Sequence, residues 1–587
     1  MSVDHSSIET MITQHIDTWT SAVKTKSASG RGSSKKLELY GVKKLRELIL
    51  ELAVRGKLVS QDPDDEPASV LLERIAVEKA QLVKDKKIKK QKSLGKVSDD
   101  EVLFDLPVGW EWTRLSELAE IGPRNNDVDD ESEASFVPMP MITTSYKGEH
   151  SAEVRKWKDI KKGYTHFRDG DIALAKITPC FENSKAAVFS GLKNSIGSGT
   201  TELHVARPVQ GTIDPLFVLL YLKAPMFLKV GETKMTGSAG QKRVPKDFFA
   251  GNPLPFPPLN EQHRIVSKVD ELMTLCDQLE QQTEASIEAH QVLVSTLLDT
   301  LTNSADADEL MQNWARISEH FDTLFTTEES IEQLKQTILQ LAVMGKLVPQ
   351  DPNDEPASVL LGRIVEEKAQ LVKEKQIKNH PKVTPIGDVG DIPNSWERIV
   401  VQDFADIRLG STPSRHEAKF WNGNIPWVSS GEVANNVIQD TAEKITEEGF
   451  NHSSTSIIPK RSLLMAIIGQ GKTRGQTAIL GIDACTNQNV AAFVFNEEYV
   501  IPEYVWVWAK SKYSSHRQDG HGGAQPALNG KKVRSFAFPL PPYSEQKRIV
   551  EQVDELTLIC EQLKQRLRDS QRVQRQLADA IIALHVD

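Results

Sequence analysis

The sequence predicts two mixed α/β globular domains separated by long antiparallel coiled-coil helices, the whole arranged as a pseudo-two-fold circle. Three observations carry this expectation: a long internal repeat, a second repeat with coiled-coil spacing, and two unique regions that share their borders but not their interiors.

The long repeat, element B, joins residues 45–90, which open LRELILELAVRGKLVSQDPDDEPASVLLERI, to residues 334–379, which open LKQTILQLAVMGKLVPQDPNDEPASVLLGRI. About 33 of 46 positions are identical, far above chance for so long a period. Element A joins NEQHRIVSKVDELMTLCDQLEQ (260–281) to SEQKRIVEQVDELTLICEQLKQ (544–565). A shorter match pairs His15-Ile16-Asp17-Thr18 with His320-Phe321-Asp322-Thr323. In the first copy it is followed by a Ser/Gly/Lys-rich insert, Lys24 to Lys36, that reads as a flexible loop. The order is B, unique region, A, B, unique region, A. If the last A meets the first B, they rebuild the A–B segment that stands intact in the middle. The sequence thus predicts a closed ring with its termini close together.

Element A is helical. Ile265, Val269, Leu272, Cys276 and Leu279 alternate at spacings of four and three, as do Ile549, Val553, Leu556, Cys560 and Leu563. That seam buries one stripe against a partner helix. Leu293, Leu297 and Leu301, and Leu577, Ile581 and Leu584, extend each helix to roughly 40 residues, or ~60 Å. The two copies are expected to pack on each other as an antiparallel spacer; a coiled coil between chains is the other arrangement the pattern allows. Element B opens with a helix ending near Gly56 and Gly345, where glycine suits the C-terminal cap. A turn follows, then a second helix expected over Ala68–Lys90 and its copy, with a lysine-rich end (Lys84, Lys86, Lys87, Lys89, Lys90, Lys92). Such a run reads first as a solvated face, and second as a phosphate or partner contact.

These boundaries divide the chain into a helical region (1–105), a unique domain (106–258), a central helical region (259–391), a second unique domain (392–543) and a C-terminal helix (544–587). The unique domains start alike, with Leu106-Pro107-Val108-Gly109-Trp110-Glu111 and Ile392-Pro393-Asn394-Ser395-Trp396-Glu397. They end alike, at NPLPFPPLNEQ (252–262) and FAFPLPPYSEQ (536–546). Short apolar runs between Gly and Pro (Asp171–Lys176, Leu463–Ile468, Val490–Phe495) favour mixed α/β with substantial strand content.

Polar loops within them hold residue types that can read base edges: Arg and Lys for guanine, Asn and Gln for adenine, with glycines permitting close backbone approach. In the first domain Lys176, Thr178, Asn183 and Lys185 lie in or beside ITPCFENSK (177–185), Ser198 and Thr200 in GSGTTE (197–202), and Gln241, Lys242 and Arg243 in GSAGQKR (237–243). In the second, Ser411, Thr412, Ser414 and Arg415 lie in GSTPSR (410–415), and Gln470, Lys472, Thr473 and Arg474 in GQGKTRGQ (469–476). Asn487, Gln488 and Asn489 lie in TNQN (486–489), and Gln525, Lys531 and Lys532 in HGGAQPALNGKK (521–532). Any one of these residues can equally be a solvated turn.

The formal charge of −10 is not that of a simple nucleic-acid binder. It is carried mostly by the helices: each unique domain sums to about +1 (19 basic against 18 acidic in 106–258, 15 against 14 in 392–543). Domains so nearly neutral grip phosphate weakly, which points to partners that add positive charge. No run of ~18 apolar residues and no signal-like N-terminus is present, so a cytoplasmic protein is expected. Cys180, Cys276, Cys485 and Cys560 form no C-x-x-C pair; Cys276 and Cys560 read as buried small hydrophobes.

Several catalytic look-alikes fail on chemistry. Gly471-Lys472-Thr473 resembles the end of a phosphate-binding loop, but Ala466 stands where that motif needs glycine. Pro541-Pro542-Tyr543 resembles the adenine-flipping tetrad of DNA methyltransferases, but Leu540 stands where Asp or Asn must bond the target amine, and Pro257-Pro258-Leu259 repeats the pattern at the other border. No metal-ligand spacing, nuclease cluster or nucleophile elbow is found.

The repeated helices, the LPxGW-like starts, the PLPPxxEQ-type ends and the near-equal halves together resemble a type I restriction–modification specificity subunit, and the helical N-terminal extension resembles the type IB branch. The resemblance implies that each unique domain is a target recognition domain reading one half of a split double-stranded DNA site, and that the paired A helices set the unread gap. It implies two modification subunits that methylate adenine with S-adenosylmethionine, and two restriction subunits that add ATP- and Mg²⁺-dependent translocation and cleavage. No cofactor and no catalytic residue would then belong to this chain. TPCFENSK with GSGTTE resembles one recognition-domain type, and GSTPSR with IPWVSSGEV (425–433) another, implying an asymmetric bipartite target. The other class that the acidic balance and repeats allow is a coiled-coil scaffold with two protein-binding domains. A self-sufficient methyltransferase would need a glycine-rich cofactor loop that the sequence lacks.

Overall fold

The computed structural model describes residues 8–26, 36–91, 94–238, 240–305, 307–469, 473–518 and 528–586. They form two compact units. One gathers residues up to 285 together with 571–586; the other holds 286–570. The C-terminal segment of element A thus belongs with the N-terminal element B, as the circular order requires.

Element A forms two helices of 44 residues, Leu259–Thr302 and Tyr543–Val586, each beginning in one unit and ending in the other. In the first unit the helix Tyr40–Val54 lies against a segment of each. Arg46 pairs with Asp277 and Glu280, both at 2.6 Å, while the Tyr40 hydroxyl donates to Asp579 at 2.8 Å. Arg55 and Lys57 donate to the Val586 carbonyl at 3.0 and 3.1 Å, satisfying a helix-end acceptor that has no partner within its own helix. Along element B the partners ascend on one A helix (579 to 586) and descend on the other (277 near Arg46, 261 near Gln61), so the two A segments run antiparallel.

The second unit repeats this arrangement around the helix Glu328–Val343. Glu328, Glu332 and Lys335 pair with Arg568, Lys564 and Glu561 at 2.8, 2.6 and 2.7 Å, and Lys346 donates to the Thr302 carbonyl at 2.8 Å. Lys346 is the repeat partner of Lys57, and Thr302 that of Val586. The contact that the C-terminal A segment makes with element B in one unit is therefore the contact that the continuous chain makes in the other.

Of the predicted seam, Ile265, Val269, Leu272, Cys276, Leu279, Ile549, Val553 and Cys560 are buried, and Leu556 and Leu563 partly so. The later positions extend each helix as expected, and Leu301 and Ile581 are buried and Leu297 partly so. Leu293, Leu577 and Leu584 are exposed; Val294, Leu298 and Ala578 are buried in their place. A strict heptad repeat averages 3.5 residues per turn, but a straight helix has about 3.6. Cys276 to Val294, and Cys560 to Ala578, are each eighteen positions, five turns at that pitch. The second helix of element B is also shorter than expected, Ala68–Lys84 and Ala357–Lys373. It stops because Lys86 and Lys375 take the left-handed conformation, at φ 57° and 61°, and the following N–H groups turn back to Leu82 and Leu371. Most of the lysine run therefore follows the helix instead of decorating it.

The two unique regions share one topology despite their unalignable interiors. In the first, a sheet runs in the order Ala119–Ile121, Leu203–Pro208, Ile172–Ala175, Ala186–Val188. In the second, it runs Asp406–Leu409, Val490–Val494, Leu463–Ala466, Thr477–Leu480, with Val437–Ile438 added at the end. Each has a further mixed sheet, four-stranded in the first unit and three-stranded in the second. The helices Pro215–Lys223 and Pro502–Ser511 cover the first-named sheets with largely buried side chains. The ends of the insert that read as a loop are paired strands, Lys24–Lys26 with Lys36–Glu38; residues 27–35 lie outside the described residues. All four cysteines are free, and burial pushes the Cys276 thiol up to about 12 and the Cys560 thiol up to about 11. No helix among the described residues is long and apolar enough to cross a membrane.

Candidate nucleic-acid interface

The shared borders work as a latch that holds each recognition region to the helices. Strand Glu111–Arg114 pairs with Pro253–Phe256, and Glu397–Val400 with Ala537–Leu540. Beside these ribbons the Trp110 indole donates to Glu261 at 3.0 Å and the Trp396 indole to Glu545 at 2.9 Å. Gln61, from element B, donates to the other Glu261 oxygen at 3.1 Å, and Gln350 does the same to Glu545. The next residue locks the exit: the Gln262 side chain accepts from the Asp214 N–H and donates to the Pro257 carbonyl, both at 2.9 Å. Gln546 repeats this with Ile501 and Pro541, at 2.8 and 3.1 Å. Burial pushes the Glu261 and Glu545 carboxyls up, against the hydrogen bonds that favour their charged forms. Gly56 and Gly345 sit with φ 67° and 70° against Pro107/Trp110 and Pro393/Trp396, where a side chain would collide. The Glu-Gln dipeptides and border tryptophans are structural parts.

In the first unit the three polar loops converge. Thr178 N–H donates to the Lys242 carbonyl at 3.0 Å, Lys176 N–H to Glu202 at 2.9 Å, and Val244 N–H back to Lys176 at 2.8 Å. The Arg243 guanidinium forks onto Glu202, at 2.8 and 2.9 Å, which lowers the carboxyl and raises the guanidinium pKa. Asn183, Gln241 and Lys242 are exposed nearby. Thr178 donates to Glu182 at 2.8 Å, Lys185 to the Met139 carbonyl at 3.0 Å, and Thr200 accepts from Glu202 N–H at 3.2 Å. Ser198 does not belong with them. It is fully buried in strand Ile196–Gly199 and donates to the Ile160 carbonyl at 2.8 Å, because the run GSG that reads as a loop lies in an inner strand of the second sheet.

In the second unit Ser411 N–H donates to Thr486 at 2.9 Å, and the Thr412 hydroxyl donates to Gln488 at 2.5 Å, joining GSTPSR to TNQN. Asn489 accepts from Ile467 N–H, and Leu528 donates to Ile467, so the described ends of the next two loops meet there. Arg415 lies 3.8 Å from the Trp421 ring centre and 5.2 Å from that of Trp427, and its guanidinium pairs with Glu443. The Ser414 carbonyl accepts from Trp421 at 3.1 Å. Thr473 and Arg474 open the turn into Thr477–Leu480, with no helix following, as the failed phosphate-loop match implies. Asn487 is a correction: it is buried, and its side chain accepts from Asn489 N–H at 3.0 Å, so it shapes the loop. Gln488 and Lys531 are exposed, and Lys532 N–H is capped by Asn529 at 2.9 Å. Gln470, Lys472 and Gln525 lie outside the described residues.

Both units thus present an arginine held in place by a carboxylate, Arg243 by Glu202 and Arg415 by Glu443. A guanidinium fixed this way loses little side-chain entropy on binding and matches a guanine edge or a phosphate. Sequence reasoning missed Glu443 and Trp421, for which no local signal exists, and the basic run Arg155, Lys156, Lys158 and Lys161, which was legible. Those cations, on the exposed strand Glu153–Lys156 and the short helix after it, are paired with Glu153, Glu131 and Asp130. Among the described residues no group of His, Cys, Asp and Glu could hold a metal ion.

Comparison with known proteins gives a consistent result. The family model for the type I restriction modification DNA specificity domain matches residues 107–289 and again 393–570. The type I restriction enzyme EcoAI specificity subunit of Escherichia coli is 52% identical over 98% of this chain and 99% of its own length. The EcoEI specificity subunit of the same organism is 48% identical over 98% and 99%. A solved structure of a type I R-M system overlaps 82% of this chain and 99% of its own at 17% identity, with a TM-score of 0.49.

Proposed function

The chain belongs to the type I restriction–modification DNA specificity family, and from that premise we infer that it is the sequence-specific DNA-recognition subunit of a type I restriction–modification complex. Each unique region reads one half of a bipartite double-stranded target. The observation that carries the two-part reading is the double match of the family model, once on each unique region. The converging loops around Arg243 and around Arg415 are the base-reading candidates; their different residues support an asymmetric target.

The A helices, 44 residues each, set the gap between half-sites and, with element B, dock two modification subunits. Two restriction subunits complete the complex. S-adenosylmethionine, ATP and Mg²⁺ act on those partners; what supports this is the failed chemistry of the look-alike motifs, with Ala466 and Leu540 at their decisive positions. The N-terminal helices, Ile8–Gln14 and Ile16–Ser21, support the type IB-like assignment.

The gap assignment is tested by deleting one heptad from both A helices. Seven residues remove about 10 Å of helix, close to three base pairs at about 3.4 Å each. The reconstituted complex should then select the same half-sites at a shorter gap. Altered half-sites with an unchanged gap would refute the assignment.

A further inference from the structure

The two units share their topology, yet the A-helix aspartate that a loop covers in the first faces a cavity in the second. In the first unit the segment after Met141 crosses the edge strand Ala186–Val188, with Gly148 packed so closely that a side chain there would strike the Ala186 and Ala187 backbone. Its tip reaches helix Leu259–Thr302. There the Tyr146 hydroxyl donates to Asp270 at 2.6 Å, and Lys147 neutralises the same carboxylate at 2.6 Å.

The repeat partner of Asp270 is Asp554, within the shared Val-Asp-Glu-Leu motif of element A. The equivalent strand is Thr477–Leu480, which pairs with Leu463–Ala466 as Ala186–Val188 pairs with Ile172–Ala175, and whose outer edge carries Val437–Ile438. Between that strand and Asp554 the second unit has a surface cavity of about 450 Å³, lined among others by Leu480, Trp506, Lys510 and Asp554. The Lys510 ammonium stands 4.0 Å from the Trp506 ring centre, and burial, opposed by the Asp554 charge, pushes it down to about 8. Lys510 lines the same cavity as Asp554. What is missing is the phenol.

We propose that this cavity is a docking socket for a tyrosine side chain of a partner protein, whose hydroxyl bonds Asp554 as Tyr146 bonds Asp270. The charge pattern selects the occupant. With Lys460 and Lys510 lining the cavity a further ammonium is repelled, whereas a neutral ring with one donor fits both the apolar wall and the carboxylate. Asp554 is exposed on its helix, so replacing it leaves the core untouched.

The test is calorimetric titration of the full-length chain with the capped tripeptide Gly-Tyr-Gly and its Phe counterpart. The Tyr peptide should bind saturably and about tenfold more tightly than the Phe peptide, as a hydrogen bond to a charged group requires. Asp554→Ala should abolish that difference, and Asp270→Ala should preserve it. Absence of saturable binding, equal binding of the two peptides, or a preference unchanged in Asp554→Ala would each overturn the proposal. So would a chain dimer that Asp554→Ala dissociates, since the occupant would then be a second copy.

Discussion

Trp110→Phe should weaken the first unit by about 3 kcal/mol and do so more at pH 8 than at pH 5. The buried Glu261 carboxylate accepts from Trp110 at 3.0 Å and from Gln61 at 3.1 Å. Removing the indole N–H deletes one charged hydrogen bond, about 1.5–3 kcal/mol. The smaller ring adds about 1 kcal/mol of lost packing against Phe217, whose ring centre lies 6.1 Å away. The pH sign follows from burial. Glu261 is already raised above the usual carboxylate range, so its folded form binds a proton more readily than its unfolded form, and protonation relieves an unfavourable buried charge. Losing a bond that favours the charged form raises it further. The defect should therefore shrink as pH falls through the raised value. Urea denaturation of wild type, Trp110→Phe, Glu261→Leu and the double variant measures the coupling directly. A coupling of about 1.5–3 kcal/mol is expected; additivity within about 0.5 kcal/mol would refute the latch.

Two further outcomes are expected. Burial pushes Lys223, whose ammonium donates to the Ser184 carbonyl at 2.7 Å, down to about 7. Between that value and its ordinary one the unfolded chain binds the extra proton, so stability should rise with pH by up to about 1.4 kcal/mol per unit; Lys223→Met should remove that slope in denaturation curves taken between pH 8 and 10. In the assembled complex, Arg415→Ala should relax selection at one half-site by about tenfold or more in a bound-sequence selection, leaving the other half unchanged; equal loss at both halves would contradict independent reading.

Much of the architecture was legible because it is written twice. Repetition exposed element B and element A, and the circular order anticipated the Val586 contact with Arg55 and Lys57. The border motifs were visible as motifs, but their purpose was not: the bonds from Trp110 and Gln61 to Glu261 join positions 151 and 200 residues apart. The length of the A helices was legible, but which later positions are buried was not, because a straight helix keeps its own pitch and not that of a heptad. The end of the second B helix was missed because lysine, not glycine, holds the left-handed cap. Within the loops, Ser198 and Asn487 show the limit of composition: a small polar residue in a Gly-rich or Asn-rich run reads the same in a buried strand as in an exposed turn. The pairing of Arg415 with Glu443 depends on strand register, which no local pattern encodes.

The central claim, that each unique region reads its own half of the target, is tested most directly by exchanging residues 106–258 for those of a relative with different specificity. The methylated adenines in DNA from a host expressing the hybrid system would then be mapped. One half-site should change to the relative's, with the other half and the gap retained. A change in both halves, or in neither, would contradict the account.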